Sequence, residues 1–379
     1  MAIQSMHHEF MTLALEQASF GQLIARPNPA VGCVLVKSNQ VVGTGYTQQV
    51  GGPHAEVMAI QAAGDLANGA IAYVTLEPCG HYGRTPPCSL ALIEAGVSTL
   101  VYGCQDPNPL VAGQGLSQLR TANIEVIGPV LEAECRRSNR GFLQRMKTNK
   151  PNVINKLAMS LDGRTAMKSG ESQWITGPEA RAQVHLLRAH SCAVITGIGS
   201  ILRDNPSMNV RADELALAGV PQATIELIKQ PLRVVLDSQL RLPTSAKILQ
   251  QPGSVLVITC VADLQRHQAL IDMGAELVVC AADDQGKVDL SAVLTLLGQR
   301  QCNQVLVEAG AGLSGAFLKA GLTHHLVVYL APKLMGSEAK ALFNLPLETM
   351  AQAVDVDIKG ISQVGNDWRI DATPKRPDN

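Results

Sequence analysis

The chain has 379 residues, 46% of them hydrophobic and 17% charged; at ~150 residues per domain that length predicts two domains with sizeable cores, and no apolar run approaches the ~20 residues of a membrane helix. Lys+Arg number 31 against Asp+Glu 32 and aromatics are 3%, which argues against a nucleic-acid platform and makes a small molecule the expected partner. Nine cysteines spread over so long a chain, and a start carrying His and Glu in place of a basic patch and apolar stretch, argue against a disulfide framework and a secretory signal and for a reducing, cytoplasmic setting.

Residues 6–19 place Phe10, Leu13, Ala14 and Ala18 near a 3.6-residue period and predict an amphipathic helix. Strands at 31–36 and 41–46, joined by the polar Lys37-Ser38-Asn39-Gln40, predict a hairpin. Helical patterns at 56–63, 89–95, 116–121 and 131–142 then alternate with strand patterns at 71–76, 99–103 and 124–127. Such alternation predicts a largely parallel sheet covered on both faces. The charged run from Arg145 to Pro151 predicts an exposed linker. Beyond it, strands are expected at 153–158, 193–196, 232–236, 255–259, 277–280, 304–307 and 326–330, with helices at 178–189, 264–273, 290–297 and 313–320. Residues 354–361 and 368–372 predict a closing hairpin bent at Gly365-Asn366, so a second α/β domain ends in antiparallel strands.

The chemistry-bearing residues of the first half are His54-Ala55-Glu56, Pro78-Cys79 and Cys88. One imidazole and two thiolates supply three tetrahedral ligands for zinc and leave the fourth position to water. Sulfur-rich ligation favours zinc over magnesium or calcium. Glu56, two residues beyond His54 in the same helical turn, can reach that water without ligating. His-x-Glu followed by Pro-Cys and a second Cys is the signature of zinc deaminases, in which the Glu moves protons between water, ring nitrogen and departing ammonia. Here the second cysteine follows the first by nine residues where the common spacing is three, so Gly80 to Pro87 form an inserted loop. His81 as a fourth ligand of a purely structural zinc stays open on these residues alone.

In the second half, Gly310-Ala311-Gly312-Leu313-Ser314-Gly315 follows a strand and opens a helix, a place for phosphate on backbone N–H groups. No Asp or Glu lies about 20 residues beyond it to hold a ribose 2′-hydroxyl. Arg188 and Arg211 have the chemistry to clamp a ribose phosphate, and Glu308, at a strand end beside the glycine loop, suits substrate hydroxyls or amines. Lys156 and Asp204 are candidate proton or electrostatic partners.

Over nearly its full length the chain resembles the bifunctional deaminase–reductase family of riboflavin biosynthesis. The landmarks are Arg26-Pro27-Asn28-Pro29-Ala30-Val31-Gly32, His54-Ala55-Glu56, Glu77-Pro78-Cys79-Gly80-His81-Tyr82-Gly83-Arg84-Thr85-Pro86-Pro87-Cys88, Asp106-Pro107-Asn108-Pro109, Lys156-Leu157-Ala158-Met159-Ser160-Leu161-Asp162-Gly163 and Glu308-Ala309-Gly310. The resemblance implies an α/β chain: a cytidine-deaminase-like three-layer domain at 1–147 and a dihydrofolate-reductase-like domain at 151–379. It implies Zn2+ on His54, Cys79 and Cys88, with Glu56 as proton shuttle. It implies that Asn28, His81 and Arg84 meet the pyrimidine or its phosphoribosyl arm. NADPH contacts are carried to Ala158, Trp174, Ser200, Asp204, Ser238 and the loop Gly310, Ala311, Gly312, Leu313, Ser314, Gly315 and Ala316. Substrate contacts are carried to Ser172, Arg188, Met208, Arg211 and Glu308, with Lys156 beside them. The implied partners are a phosphorylated pyrimidine and a second copy or more of the chain, as dimer or tetramer, with neither nucleic acid nor membrane. A polynucleotide-base deaminase, and a second domain without catalytic activity, are the competing readings.

Overall fold

A computed structural model of the chain describes residues 2–82, 86–108 and 112–375. The chain forms two compact units, Met1–Lys150 and Pro151–Asn379.

The first unit runs α1 (Ala2–Gly21), β1 (Gly32–Lys37), β2 (Gln40–Tyr46), α2 (Ala55–Ala63), β3 (Ile71–Val74), α3 (Cys88–Glu94), β4 (Thr99–Tyr102), α4 (Gln114–Thr121), β5 (Glu125–Ile127), α5 (Glu132–Ser138) and α6 (Arg140–Thr148). Its sheet has the order β2-β1-β3-β4-β5. β3, β4 and β5 are parallel, but β1 is antiparallel to both β2 and β3. Half of the sheet therefore departs from the parallel arrangement expected. The β1–β2 connection is too short for a crossover, and β3, entered through α2, runs with β2 and so against β1.

Small residues set the layers. Gly43 and Gly45 pair with Leu35 and Cys33 and so share their face of the sheet, while Gly32 opens the opposite one. A Cβ at Gly45 would stand 2.3 Å from the Ala55 carbonyl of α2, and one at Gly32 would stand 1.8 Å from the Ala14 carbonyl of α1. Two helices thus press on the hairpin from its two sides, and Val34, Leu35, Tyr73 and Leu100 are buried between the layers.

The helix predicted at 131–142 is two. Asn139 leaves helical geometry (φ −115°, ψ 24°) between α5 and α6. Its Oδ1 accepts from Ala30 N at 2.8 Å and its Nδ2 donates to Ala30 O at 2.8 Å. A buried amide matched on both sides by one distant residue outweighs the local preference for an unbroken helix. The charged run expected as a linker is also mostly helical. Arg145 and Lys147 lie in the last turn of α6, which ends at Asn149 in the left-handed region (φ 56°).

The second unit contains β6 (Asn152–Ser160), β7 (Arg164–Ala166), α7 (Pro178–His190), β8 (Ala193–Gly197), α8 (Ile198–Asp204), α9 (Ala212–Leu217), α10 (Gln222–Ile225), β9 (Leu232–Leu236), α11 (Lys247–Gln250), β10 (Val255–Thr259), α12 (Leu264–Ile271), β11 (Ala275–Val279), α13 (Leu290–Gln299), β12 (Gln304–Glu308), α14 (Ala311–Lys319), β13 (His325–Ala331), β14 (Lys340–Ala341), β15 (Val356–Val364) and β16 (Asp367–Pro374). Nine strands form one sheet in the order β11-β10-β9-β8-β12-β6-β13-β16-β15. It is parallel from β11 to β13, and antiparallel where the closing hairpin joins. Strand alternation divides the core. Val194, Val235 and Leu306 pack with Val184 and Leu187 of α7, whereas Ile195, Val234 and Val305 pack with Leu297 of α13 and Phe317 of α14.

The contact between β2 and α2 carries His54 and Glu56, so it is expected to be intolerant of volume. Gly45→Ala forces a methyl into the backbone of α2 and is expected to cost about 3 kcal/mol, read as a lowered urea midpoint of the first unit.

Candidate active sites

The first site is assembled at the starts of two helices. His54 is the residue before α2 and Glu56 lies in its first turn. Cys88 opens α3, while Cys79 lies in the irregular segment after β3. His54 Nδ1 lies 3.1 Å from Cys88 Sγ and 3.8 Å from Cys79 Sγ, and the three ligand atoms all fall within 4.8 Å of one another. One nitrogen and two sulfurs so disposed fit the donor set of zinc.

The charges point the same way. The Cys88 thiol, the His54 imidazole and the Cys88 backbone N–H all donate toward the Cys79 sulfur, holding it below the ordinary thiol range despite its burial. Cys88 is pushed up by that same hydrogen bond to Cys79 and by burial. A dication bound among these groups would favour both thiolates, since metal ligation requires the deprotonated sulfur. Glu56 is 3% exposed, and burial, with Cys79 nearby, raises its carboxyl. A carboxyl shifted in that direction is suited to taking and returning a proton.

A cavity of about 160 Å³ opens onto these groups, and Asn28, His54, Glu56, Cys79 and His81 all line it. Arg84 lies outside the described residues. Glu77, Asp106, Asn108 and Phe142 line it as well, although sequence reading quoted Glu77, Asp106 and Asn108 only as landmarks. Asp106 is pushed up by burial to about 6, and Glu77 Oε1 is buried with no partner. Only burial distinguishes these acids from ordinary surface charges, and spacing along the chain does not report it. Asn139, by holding Ala30, fixes the segment that presents Asn28.

The second site is a cleft of about 500 Å³ over the parallel strands. Glu308 pairs in register with Lys156, and Thr196 stands one step past the Ile195–Val307 pairing. The cleft floor is therefore a row, Thr196–Glu308–Lys156, across three adjacent strands. Arg188 of α7 grips Glu308 with both ends of its fork, Nε to Oε1 at 2.6 Å and Nη2 to Oε2 at 3.0 Å, and its Nη1 donates to Asn209 O at 2.8 Å. Burial would raise Glu308, but Arg188 and Lys156 together hold it below the usual carboxylate range. Burial lowers the Lys156 ammonium. The Thr196 hydroxyl is buried, faces the cleft and has no partner.

Of the residues carried over by resemblance, Ala158, Ser200, Asp204, Gly310, Ala311, Gly312 and Leu313 line the cleft, as do Lys156, Ser172, Arg188, Met208 and Glu308. Trp174, Ser238, Arg211, Ser314, Gly315 and Ala316 do not line it. Trp174 is exposed with Arg181 stacked on its ring at 4.7 Å. Ser238 accepts from Val288 N at 3.0 Å. Ser314 turns its hydroxyl back to Ala309 O, and a Cβ at Gly315 would stand 2.6 Å from Asn344 O. The second half of the glycine loop thus packs on Ala309 and Asn344. The first half is open, with nothing within 4 Å of a Cβ at Gly310 or Gly312, and the backbone N–H groups at the start of α14 fit a dinucleotide's phosphates. Arg211 pairs with Glu214, and its N–H donates to His185 Nδ1 at 3.1 Å. Thr165, Arg203 and Lys340 line the cleft without any motif to announce them.

Comparison with known proteins adds three results. The zinc-binding region of cytidine and deoxycytidylate deaminases matches residues 4–104, and the RibD C-terminal domain matches residues 151–370. The riboflavin biosynthesis protein RibD of Escherichia coli is 47% identical over 362 residues, which cover 94% of this chain and 96% of that one; its Haemophilus influenzae counterpart is 45% identical over 97% of each chain. Among solved structures, one form of Acinetobacter baumannii RibD superposes with TM-score 0.90 at 44% identity, covering 98% of this chain and 100% of that one. A deaminase/reductase from Thermotoga maritima superposes with TM-score 0.84 at 30% identity, over 98% and 99% of the two chains.

Burial, reinforced by Arg188 and Arg211, pushes the His185 imidazole down to about 3. In the unfolded chain it titrates near 6.5, so the unfolded state binds more protons below that pH. Stability present above pH 6.5 is lost as the pH falls toward 3, at up to ~1.4 kcal/mol per pH unit. Urea midpoints of wild type are expected to drop between pH 6.5 and 4 more steeply than those of His185→Asn, which keeps an acceptor but cannot charge.

Proposed function

The chain belongs to the RibD family, the bifunctional deaminases and reductases of riboflavin biosynthesis, and from that premise we propose which of its residues perform the two steps. Its first unit is a zinc-dependent deaminase and its second an NADPH-dependent reductase. The reactions are hydrolytic deamination of 2,5-diamino-6-(5-phosphoribosylamino)pyrimidin-4(3H)-one and then reduction of the ribosyl group to ribityl phosphate.

In the first unit His54, Cys79 and Cys88 would hold zinc, whose chemistry there is Lewis-acid activation of water. The observation that carries the assignment is their convergence beside a buried Glu56. Glu56 takes a proton from the attacking water and passes it to the adjacent ring nitrogen, then takes the hydroxyl proton of the adduct and passes it to the departing amino group, which leaves as ammonia while the carbonyl forms. Asn28 offers the donor and acceptor pair that a pyrimidine edge requires, and His81 lines the same cavity. Arg84 is assigned to the phosphoribosyl arm on family resemblance.

In the second unit NADPH would lie along Ala158, Ser200, Asp204 and the loop 310–313 and supply the hydride. Lys156 and Glu308 sit in register on the cleft floor. Lys156, its ammonium made more acidic by burial, donates a proton to the ribosyl ring oxygen as the ring opens. Glu308, oriented by Arg188, accepts from the sugar hydroxyls or the anilino-type N–H. Met208 and Ser172 bound the substrate end. Trp174, Ser238, Arg211 and residues 314–316 are assigned to NADPH and substrate on family resemblance alone, and lie outside the cleft lining.

No helix among the described residues is long and apolar enough to cross a membrane. None of the nine cysteines is in a disulfide, which supports a reducing, cytoplasmic setting. The net charge of −1 supports a small molecule over nucleic acid as the partner. On edge strand β15 and its neighbour β16, Ile358, Ile361 and Trp368 are exposed, which supports association with a second copy of the chain.

Glu56→Ala is expected to abolish ammonia release, by at least about 10³-fold, while sparing NADPH-dependent reduction of substrate deaminated beforehand; undiminished ammonia production would refute the proton role. Chelation of zinc is expected to separate the activities in the same way, with ammonia release lost and NADPH oxidation retained, and with metal content read by elemental analysis.

A further inference from the structure

The floor of the reductase cleft carries a cation that no acid takes up directly. Burial lowers the Lys156 ammonium, and among the described residues it makes neither an ion pair nor a hydrogen bond. Both oxygens of Glu308, its partner in register on β12, are taken by Arg188 of α7. Arg188 carries a like charge and lowers the ammonium further, while Glu308 opposes it. What meets the ammonium is a ring face: Lys156 Nζ stands over Tyr329 of β13, 5.9 Å from the ring centroid. Tyr329 pairs with Ala158, two steps past the pairing of Val327 with Lys156. The two side chains therefore share one face of the sheet, and the long lysine stem reaches the ring along the diagonal.

The ring is held from two further elements. Tyr329 is fully buried, and its hydroxyl donates to Gln183 Oε1 of α7 at 3.2 Å. Arg369 of β16 donates to the same oxygen at 3.3 Å and is fixed in turn by both oxygens of Asp371. Burial pushes the phenol up to about 12, so the ring stays neutral and presents only its quadrupole. An aromatic face attracts a cation, and the attraction grows as water is excluded. The charged groups that face Lys156 are Glu308 from β12 and Arg188 from α7, with the neutral His185 of α7 behind Glu308. We propose that Tyr329 is a positioning residue of the reductase, its ring face holding the Lys156 ammonium over the cleft floor. This rests on the reading of Lys156 as proton donor and adds the group that keeps it protonated among neighbours that favour loss of the proton.

The test compares full-length wild type with Tyr329→Phe and Tyr329→Leu, and with protein carrying a ring-fluorinated phenylalanine at the same position. Phenylalanine keeps the ring face and loses the hydroxyl. Leucine loses both, and fluorination keeps the shape while weakening the face, so packing and charge are separated even where leucine fails to fold. An unchanged Kd for NADPH confirms that each variant is intact. The titration of Lys156 Nζ is followed by NMR in lysine-labelled protein, its signal assigned by its loss in Lys156→Met. Its midpoint is expected to fall by about 0.7 of a pH unit in the leucine and fluorinated proteins and to stay near that of wild type in Tyr329→Phe. The sign follows because a group that stabilises the protonated form raises the midpoint, and its removal lowers it. The alkaline limb of NADPH oxidation with deaminated substrate is expected to move to lower pH by the same amount in the same proteins. The proposal is overturned if Lys156 titrates alike in all four, or if Tyr329→Phe shifts it as far as leucine does. A shifted titration with an unmoved alkaline limb upholds the hold of Tyr329 on Lys156 and refutes the reading of Lys156 as proton donor.

Discussion

A charge taken out of water must be matched by its surroundings, and both sites of this protein are organised by that requirement. In the second unit a carboxylate, Glu308, stands at the end of a central parallel strand with its side chain only 10% exposed. It is tolerable there because Arg188 reaches it from α7 with both ends of its guanidinium and Lys156 stands beside it on the next strand. The pair pins helix to sheet at the point where chemistry is expected. Matching within the protein therefore decides which residues remain available to a ligand.

The first unit shows the complementary case, in which the matching is incomplete. The ligand atoms of Cys79, Cys88 and His54 all lie within 4.8 Å of one another, and Glu56 is buried beside them. Among the described residues no further ligand joins the three, and one nitrogen with two sulfurs fits the donor set of zinc. The surrounding structure is rigid for a simple steric reason. The hairpin strands carry glycine where α1 and α2 cross them, so both helices lie in backbone contact with the sheet, and α2 holds His54 and Glu56 at its start. On the other side of the cavity Asn139 holds both polar groups of Ala30. The loop bearing Asn28 thus takes its position from a residue more than a hundred positions away in sequence.

Several departures from simple pattern reading share one cause. The predicted helix at 131–142 breaks because Asn139 has a tertiary partner that no local propensity records. The run from Arg145 to Pro151 looks like an exposed linker by charge, yet most of it is the last turn of α6, since polarity is as compatible with an exposed helix face as with a loop. The antiparallel half of the first sheet follows from the shortness of one connection. The glycine motif at 310–315 is continuous in sequence but divided in use, its first half open to the cleft and its second half packed on Asn344.

The sequence by itself determined the two α/β units, the zinc donor set with its adjacent carboxyl, and the family, because these depend on residue types at fixed spacing and on periodic burial. Tertiary structure alone decided that Glu308 and Arg188 are spent on each other. It also decided that Thr196, Glu77 and Asp106 are buried along the walls of the two cavities. Pairing and desolvation are properties of neighbours brought together across strands and helices, and a side chain's chemistry does not reveal its partner until the chain has folded.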